Sequence, residues 1–169
     1  CRSLGARLAV MLVAQRHRAH GNEPVVELSC RRAQVTVQAC VNDRHGHHIG
    51  DDVLVEVIRR LTNGLRPHDL VARWGGEEIT VLAPGVRGRR QLEQLAERVR
   101  SLVGDHPVAA GVDAVTVTVS VGGTVLDGSV APDAALNRAD AALYDAKRRR
   151  NAYAISLPSR TTQLAEAAS

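Results

Sequence analysis

The sequence contains no phenylalanine, one tryptophan and two tyrosines in 169 residues, so its apolar content is almost wholly Ala, Val and Leu. Stacking of nucleobases on aromatic side chains is therefore excluded as a general mode of binding. Lysine is scarcer still: Lys147 stands alone among 22 basic residues, the rest being arginine. In a chain that uses arginine for every other cation, that exception asks for a reason. Cysteine is limited to Cys1, Cys30 and Cys40, without C-x-x-C spacing, which excludes a disulfide framework or a cysteine zinc site and suits a reducing cytoplasm. Long apolar runs are missing too. The longest early stretch, Leu8 to Ala14, is too short for a membrane span or a secretory leader. The formal charge of +4 comes from arginines scattered among acids rather than from a basic block, so a nucleic-acid-binding tract is not evident. A chain that opens on Cys1 reads as a fragment whose upstream part is not included.

What is present suffices for one domain: 44% of the residues are apolar, enough for a single buried core. Leu8, Met11, Leu12 and Ala14 fall on a rough helical period, predicting a helix over about 5–19. Short strands are expected at 25–28 and 34–38. Leu54, Val57, Ile58, Leu61 and Leu65 recur at three and four residues and predict a helix over about 50–65. Two runs, 70–74 and 77–82, flank Gly75-Gly76. Glycine pairs supply the positive φ angles that a tight hairpin turn demands. Further helices are expected at about 89–104 and 132–148, with strands at 115–121 and 153–155 and a polar tail that frays. This order suggests an α/β protein with an antiparallel-rich sheet covered by helices.

Chemistry-bearing residues cluster in a few motifs. In Arg73-Trp74-Gly75-Gly76-Glu77-Glu78-Ile79 the two glycines let phosphate oxygens approach backbone N–H groups that a side chain would shield. Adjacent strand residues face opposite ways, so Glu77 and Glu78 cannot both face one ligand. Asn42 and Asp51, in Asn42-Asp43-Arg44-His45-Gly46-His47-His48-Ile49-Gly50-Asp51, can supply the acceptors and donor that a guanine edge needs. The plainer reading of His45, His47 and His48 in that segment is a solvent-exposed polar turn rather than a metal cluster. Lys147, in Ala139-Asp140-Ala141-Ala142-Leu143-Tyr144-Asp145-Ala146-Lys147, suits a phosphate as a point charge.

These blocks, with Thr118-Val119-Ser120-Val121-Gly122, resemble in order and spacing the signature segments of the GGDEF family, the bacterial diguanylate cyclases. The resemblance covers about residues 41–155. It implies a ferredoxin-related, palm-like α+β sandwich with the GGEEI hairpin at its active edge, spanning 41–156 between a divergent region of helix and strand at 1–40 and a tail at 157–169. It also implies condensation of two GTP to cyclic di-GMP by a cytoplasmic homodimer with Mg²⁺ or Mn²⁺. On that basis Glu77 carries the metal, and Glu78 engages the nucleotide or supports the turn. Asn42, His47 and Asp51 hold the base, and Gly75, Gly76 and Lys147 hold phosphate. Arg66-Pro67-His68-Asp69 resembles the R-x-x-D pattern of members inhibited by their product, in which Arg66 and Asp69 would bind cyclic di-GMP. A helix-end Arg followed by a turn Asp is the plainer reading of the same residues.

Two departures stand out. The family's D-x-D-x-F-K segment, whose first Asp shares the cations with the hairpin acid, is missing: counting back from Asn42 puts Gln34 and Thr36 where the acids belong. A neutral Gln cannot balance hard cations beside a triphosphate. An altered reading frame upstream of about position 41 would explain a loss so confined. The glycine of x-x-G-R-N is also missing from Arg148-Arg149-Arg150-Asn151. The alternative to an enzyme is thus a degenerate domain that binds GTP or cyclic di-GMP as a regulatory module.

Overall fold

The computed structural model describes residues 5–15, 47–75, 78–86, 88–110, 113–126 and 131–158. Along the chain these form β1 (Gly5–Gln15), α1 (His47–Gly64), β2 (Leu70–Gly75), β3 (Glu78–Pro84), α2 (Arg89–Gly104), β4 (Val108–Ala110), β5 (Asp113–Leu126), α3 (Pro132–Arg149) and β6 (Tyr153–Ile155). The strands make one sheet in the order β2-β3-β1-β5-β4, with β6 also paired to β5. The expected helices at 50–65, 89–104 and 132–148 and the hairpin are all present. The strand at 115–121 is longer than expected, and β4 has no counterpart in the sequence pattern.

The first helix is a correction. Residues 5–15 form the central strand of the sheet, parallel both to β3 and to β5. A strand paired in parallel on both edges reads as a near-continuous apolar run, not as an alternation, and such a run also contains helix-like spacings. The sheet is accordingly mixed rather than antiparallel-rich: β1–β3, β1–β5 and β5–β6 run parallel, while β2–β3 and β4–β5 run antiparallel. The strands expected at 25–28 and 34–38 lie outside the described residues.

Period-two alternation divides the sheet into two unlike faces. Ile79 and Val81 of β3 and Val117, Val119 and Val121 of β5 are buried in the main core with Val57 and Leu61 of α1 and with Leu92, Val99 and Val103 of α2. The opposite face receives α3, whose inner side is mostly small: Ala135, Ala139, Ala142 and Ala146, with Leu136 and Leu143. These alanines let the helix lie close. A Cβ built on Gly122 would strike the backbone of Ala139 and Leu143, so only glycine fits at that point of β5. Pro132 at the start of α3 lacks an N–H that would go unpaired there, while Asp133 in the first turn and Lys147, Arg148 and Arg149 in the last suit the two ends of the helix dipole.

Arginines tie the helices to their surroundings. The Arg60 guanidinium donates to the Glu56 carboxylate at 2.9 Å and to the carbonyls of His106 and Pro107 at 2.7 and 2.6 Å, fastening α1 to the loop before β4. Arg59 donates to the same carboxylate at 2.6 Å. These hydrogen bonds from Arg59 and Arg60 lower the Glu56 pKa to about 2. Arg98 of α2 donates to the Gly64 carbonyl at 2.6 Å, which closes the end of α1 over α2.

Candidate functional site

At the glycine pair the hairpin departs from regular pairing. β2 and β3 pair from Leu70↔Leu82 to Arg73↔Ile79, and then the register slips so that Gly75 faces Glu78. The slip leaves Trp74 as an extra residue on β2, a bulge that twists the end of the hairpin. Gly76 and Glu77, which join the strands, lie outside the described residues.

Two helices bring charged side chains to this end of the hairpin. Asp51 of α1 is exposed, and its Oδ1 lies 3.9 Å from Nη2 of Arg73. Lys147 of α3 places Nζ 3.9 Å from Oε1 of Glu78. Arg73 shares a face with its partner Ile79, which is buried toward α1 and α2, whereas Glu78 points to the α3 side. The two pairs therefore straddle the hairpin, one on each face, and a ligand touching both would have to pass over the Gly75-Gly76 turn.

Of the residues singled out from sequence, the structure thus brings Asp51, Glu78 and Lys147 to one end of the hairpin, with Gly75 closing β2. His47 opens α1, ahead of the part of that helix that is buried at Val53 and Leu54. Asn42 and Glu77 lie outside the described residues. Arg73 belongs to the hairpin motif, yet nothing in the sequence gives it a role of its own. Its proximity to Asp51 joins segments far apart along the chain, and only the fold shows it.

Arg66 and Asp69 form a closed turn just after α1. The Arg66 N–H donates to the Asp69 carboxylate at 3.0 Å, and the Asp69 N–H donates to the Arg66 carbonyl at 2.9 Å. The plainer sequence reading, a turn aspartate after a helix end, describes this geometry; the Arg66 side chain is exposed.

A pair of divalent cations needs several oxygen ligands, preferably carboxylates. Among the described residues no three of His, Cys, Asp or Glu gather closely enough to hold a metal ion. The strand beside β3 is β1, whose sequence GARLAVMLVAQ contains no acid, and its Ala9 is the register partner of Glu78. The described residues do not fit a two-cation centre: the neighbouring strand adds no carboxylate to the hairpin acids.

The family profile described as diguanylate cyclase, GGDEF domain, matches residues 39–152. The response regulator PleD of Caulobacter vibrioides is 42% identical over 110 residues, covering 63% of this chain and 24% of that protein. The diguanylate cyclase DgcP of Pseudomonas aeruginosa is 37% identical over 139 residues, covering 80% of this chain and 19% of that protein. The chain thus spans less than a quarter of the length of these relatives. Among solved structures, diguanylate cyclase SiaD, in complex with its activator SiaC from Pseudomonas aeruginosa, matches with a TM-score of 0.61 at 43% identity, over 70% of this chain and 45% of that one. The isolated GGDEF domain of PA1120 (TpbB or YfiN) from the same organism matches with a TM-score of 0.54 at 33% identity, over 74% of this chain and 73% of that one.

Proposed function

The chain belongs to the GGDEF family of diguanylate cyclase domains, and on that footing we propose that it holds GTP across the β2–β3 hairpin for condensation of two GTP to cyclic di-GMP. The observation that carries this reading is the convergence of Asp51 and Lys147 on the two faces of the same hairpin end. An exposed carboxylate on one side is matched to the N1–H and N2–H donors of guanine, and an ammonium on the other to phosphate. Asn42 and His47 would complete the base site, and Gly75 and Gly76 would let phosphates approach the turn. Each copy would hold one GTP, and two copies facing each other would bring the two nucleotides together. The residues of this site all fall within 41–156, on a sheet whose central strand is residues 5–15. A cytoplasmic setting suits both the GTP supply and the cysteine usage. Among the described residues no helix is long and apolar enough to cross a membrane.

Binding without turnover is a second reading, favoured by one observation: the strand next to the hairpin, β1, carries no acid. In this reading Glu77 alone would be left of the family's cation-binding pair, and the domain would act as a GTP or cyclic di-GMP receptor, the latter through Arg66. Incubation with GTP and Mg²⁺ or Mn²⁺, followed by chromatography for cyclic di-GMP, separates the two. Product that disappears in Glu77→Ala supports the cyclase. GTP binding without product supports the receptor, and neither binding nor product rejects both.

A further inference from the structure

Among the described residues, the buried side-chain atoms without a hydrogen-bond partner are Oγ1 of Thr80, Oγ1 of Thr124, and Nε and Nη2 of Arg138. All belong to the packing of α3 on the sheet. Thr80 and Thr124 alternate with Ile79, Val81, Val121 and Val125, which are buried toward α1 and α2, so both hydroxyls face α3. Arg138 stands on α3 itself and is partly buried. Burying a cation without a partner is costly, so this guanidinium calls for a counter-charge.

Nε and Nη2 are the two parallel donors along one side of a guanidinium, a fork that fits two oxygens of one anion. Elsewhere in the protein a carboxylate fills the same fork: Arg59 donates through both nitrogens to Glu56 at 2.6 and 2.8 Å, and Arg100 through both to Glu97 at 2.9 and 2.6 Å. A third donor stands nearby. Gly122 of β5 lies against the backbone of Ala139 and Leu143. The helix runs antiparallel to β5, with Leu136 near its start packed beside Leu126. Thr124, the next residue of β5 on that face, therefore lies beneath the turn that carries Ala135 and Arg138, and it is fully buried. We propose that a phosphate-class oxyanion binds between α3 and the C-terminal half of β5. The Arg138 fork holds two of its oxygens and the Thr124 hydroxyl donates to a third, an arrangement that suits a tetrahedral anion better than a planar carboxylate. This site is separate from the hairpin. Arg138 and Lys147 are about two and a half turns apart, which sets them on opposite flanks of α3 and about 13 Å apart along its axis. Arg138 shares its flank instead with Arg149, whose Nη2 donates to the Tyr153 carbonyl of β6 at 2.9 Å.

The test titrates inorganic phosphate calorimetrically into the whole chain, at an ionic strength held constant with chloride. Wild type is expected to bind phosphate saturably and to melt at a higher temperature in its presence. Arg138→Met and Arg138→Lys should each lose about tenfold or more in phosphate affinity, since a single ammonium cannot supply the two parallel hydrogen bonds. Thr124→Val keeps the shape of the side chain, removes its hydroxyl and should weaken phosphate by about three- to tenfold. Lys147→Met should bind phosphate as wild type does, which separates this site from the hairpin. Melting in chloride alone distinguishes a free anion from a carboxylate of the chain itself. Arg138→Met should then melt no lower than wild type, because it removes a buried charge that had no partner. A lower melting temperature in that variant, with phosphate altering neither protein, would mean that a carboxylate of the chain fills the fork, and would overturn the proposal. So would a wild type that binds no phosphate, an unchanged phosphate affinity in Arg138→Lys, or phosphate binding lost in Lys147→Met.

Discussion

Lys147 and Glu78 face each other at 3.9 Å, across the gap between the last turn of α3 and the first residue of β3. The chain's single lysine is thus directed at the hairpin by a helix that packs on the opposite face of the sheet from α1. At that distance, and with the lysine side chain 46% exposed, the pair contributes little to folding.

Replacing Lys147 with Met should therefore leave stability within about 0.5 kcal/mol of wild type. It should weaken GTP about tenfold while changing the affinity for guanosine monophosphate far less, since an ammonium acting as a point charge serves the distal phosphates. Paired titrations with the two nucleotides check this. Equal losses for both would mean that the lysine does not serve the distal phosphates.

Gly122→Ala tests the close seating of α3. The added methyl would meet the Ala139 and Leu143 backbone, which cannot swing away as a flexible side chain could. The helix must lift, at a cost of about 1–3 kcal/mol as for other overpacked cores. Urea denaturation should show a lower midpoint with an unchanged slope, and Lys147 displaced with its helix should weaken GTP in the same variant.

The place of β1 is tested through its backbone. Leu12 pairs with Val81 on one side and Gly123 on the other, so Leu12→Pro must remove a ladder hydrogen bond whichever neighbour accepts it. A loss of about 2 kcal/mol or more is expected, read as a large drop in the melting temperature. A melting temperature equal to wild type would show that residues 5–15 are not the central strand.

Glu56 supplies the pH dependence. Hydrogen bonds from Arg59 and Arg60 lower its pKa from an ordinary 4.5 to about 2. Because the folded value lies below the unfolded one, the stabilisation is fully present above about pH 4.5 and is lost as pH falls toward 2. Melting curves of wild type and Glu56→Gln should differ by a constant amount near neutrality and converge across that acid window. Parallel curves down to about pH 2 would show that the two arginines do not hold the Glu56 carboxylate in its charged form.

The sequence made the local elements readable where one face is buried and the other is wet. Leu54, Val57 and Leu61 announce α1, and Leu92, Val99 and Val103 announce α2, because a half-buried helix must repeat its apolar residues at its own period. Gly75-Gly76 announces the hairpin for the same kind of local reason. β1 reads as a helix because its partners are distant in sequence and a strand parallel to neighbours on both edges lacks the alternation that would mark it. β4 spans only Val108–Ala110, too short for any period. In the site, Lys147 is conspicuous by its rarity and Asp51 by its motif. The pairing of Arg73 with Asp51 depends on how α1 lies against β2, which no local pattern records.

The most direct test of GTP binding at the hairpin is a calorimetric titration of the chain with GTP, repeated with Asp51→Asn. Saturable binding of one GTP per chain is expected, weakened about tenfold in the variant by loss of the carboxylate that faces the guanine N–H donors. Absence of binding, or binding of equal strength to both proteins, would contradict a guanine site at Asp51.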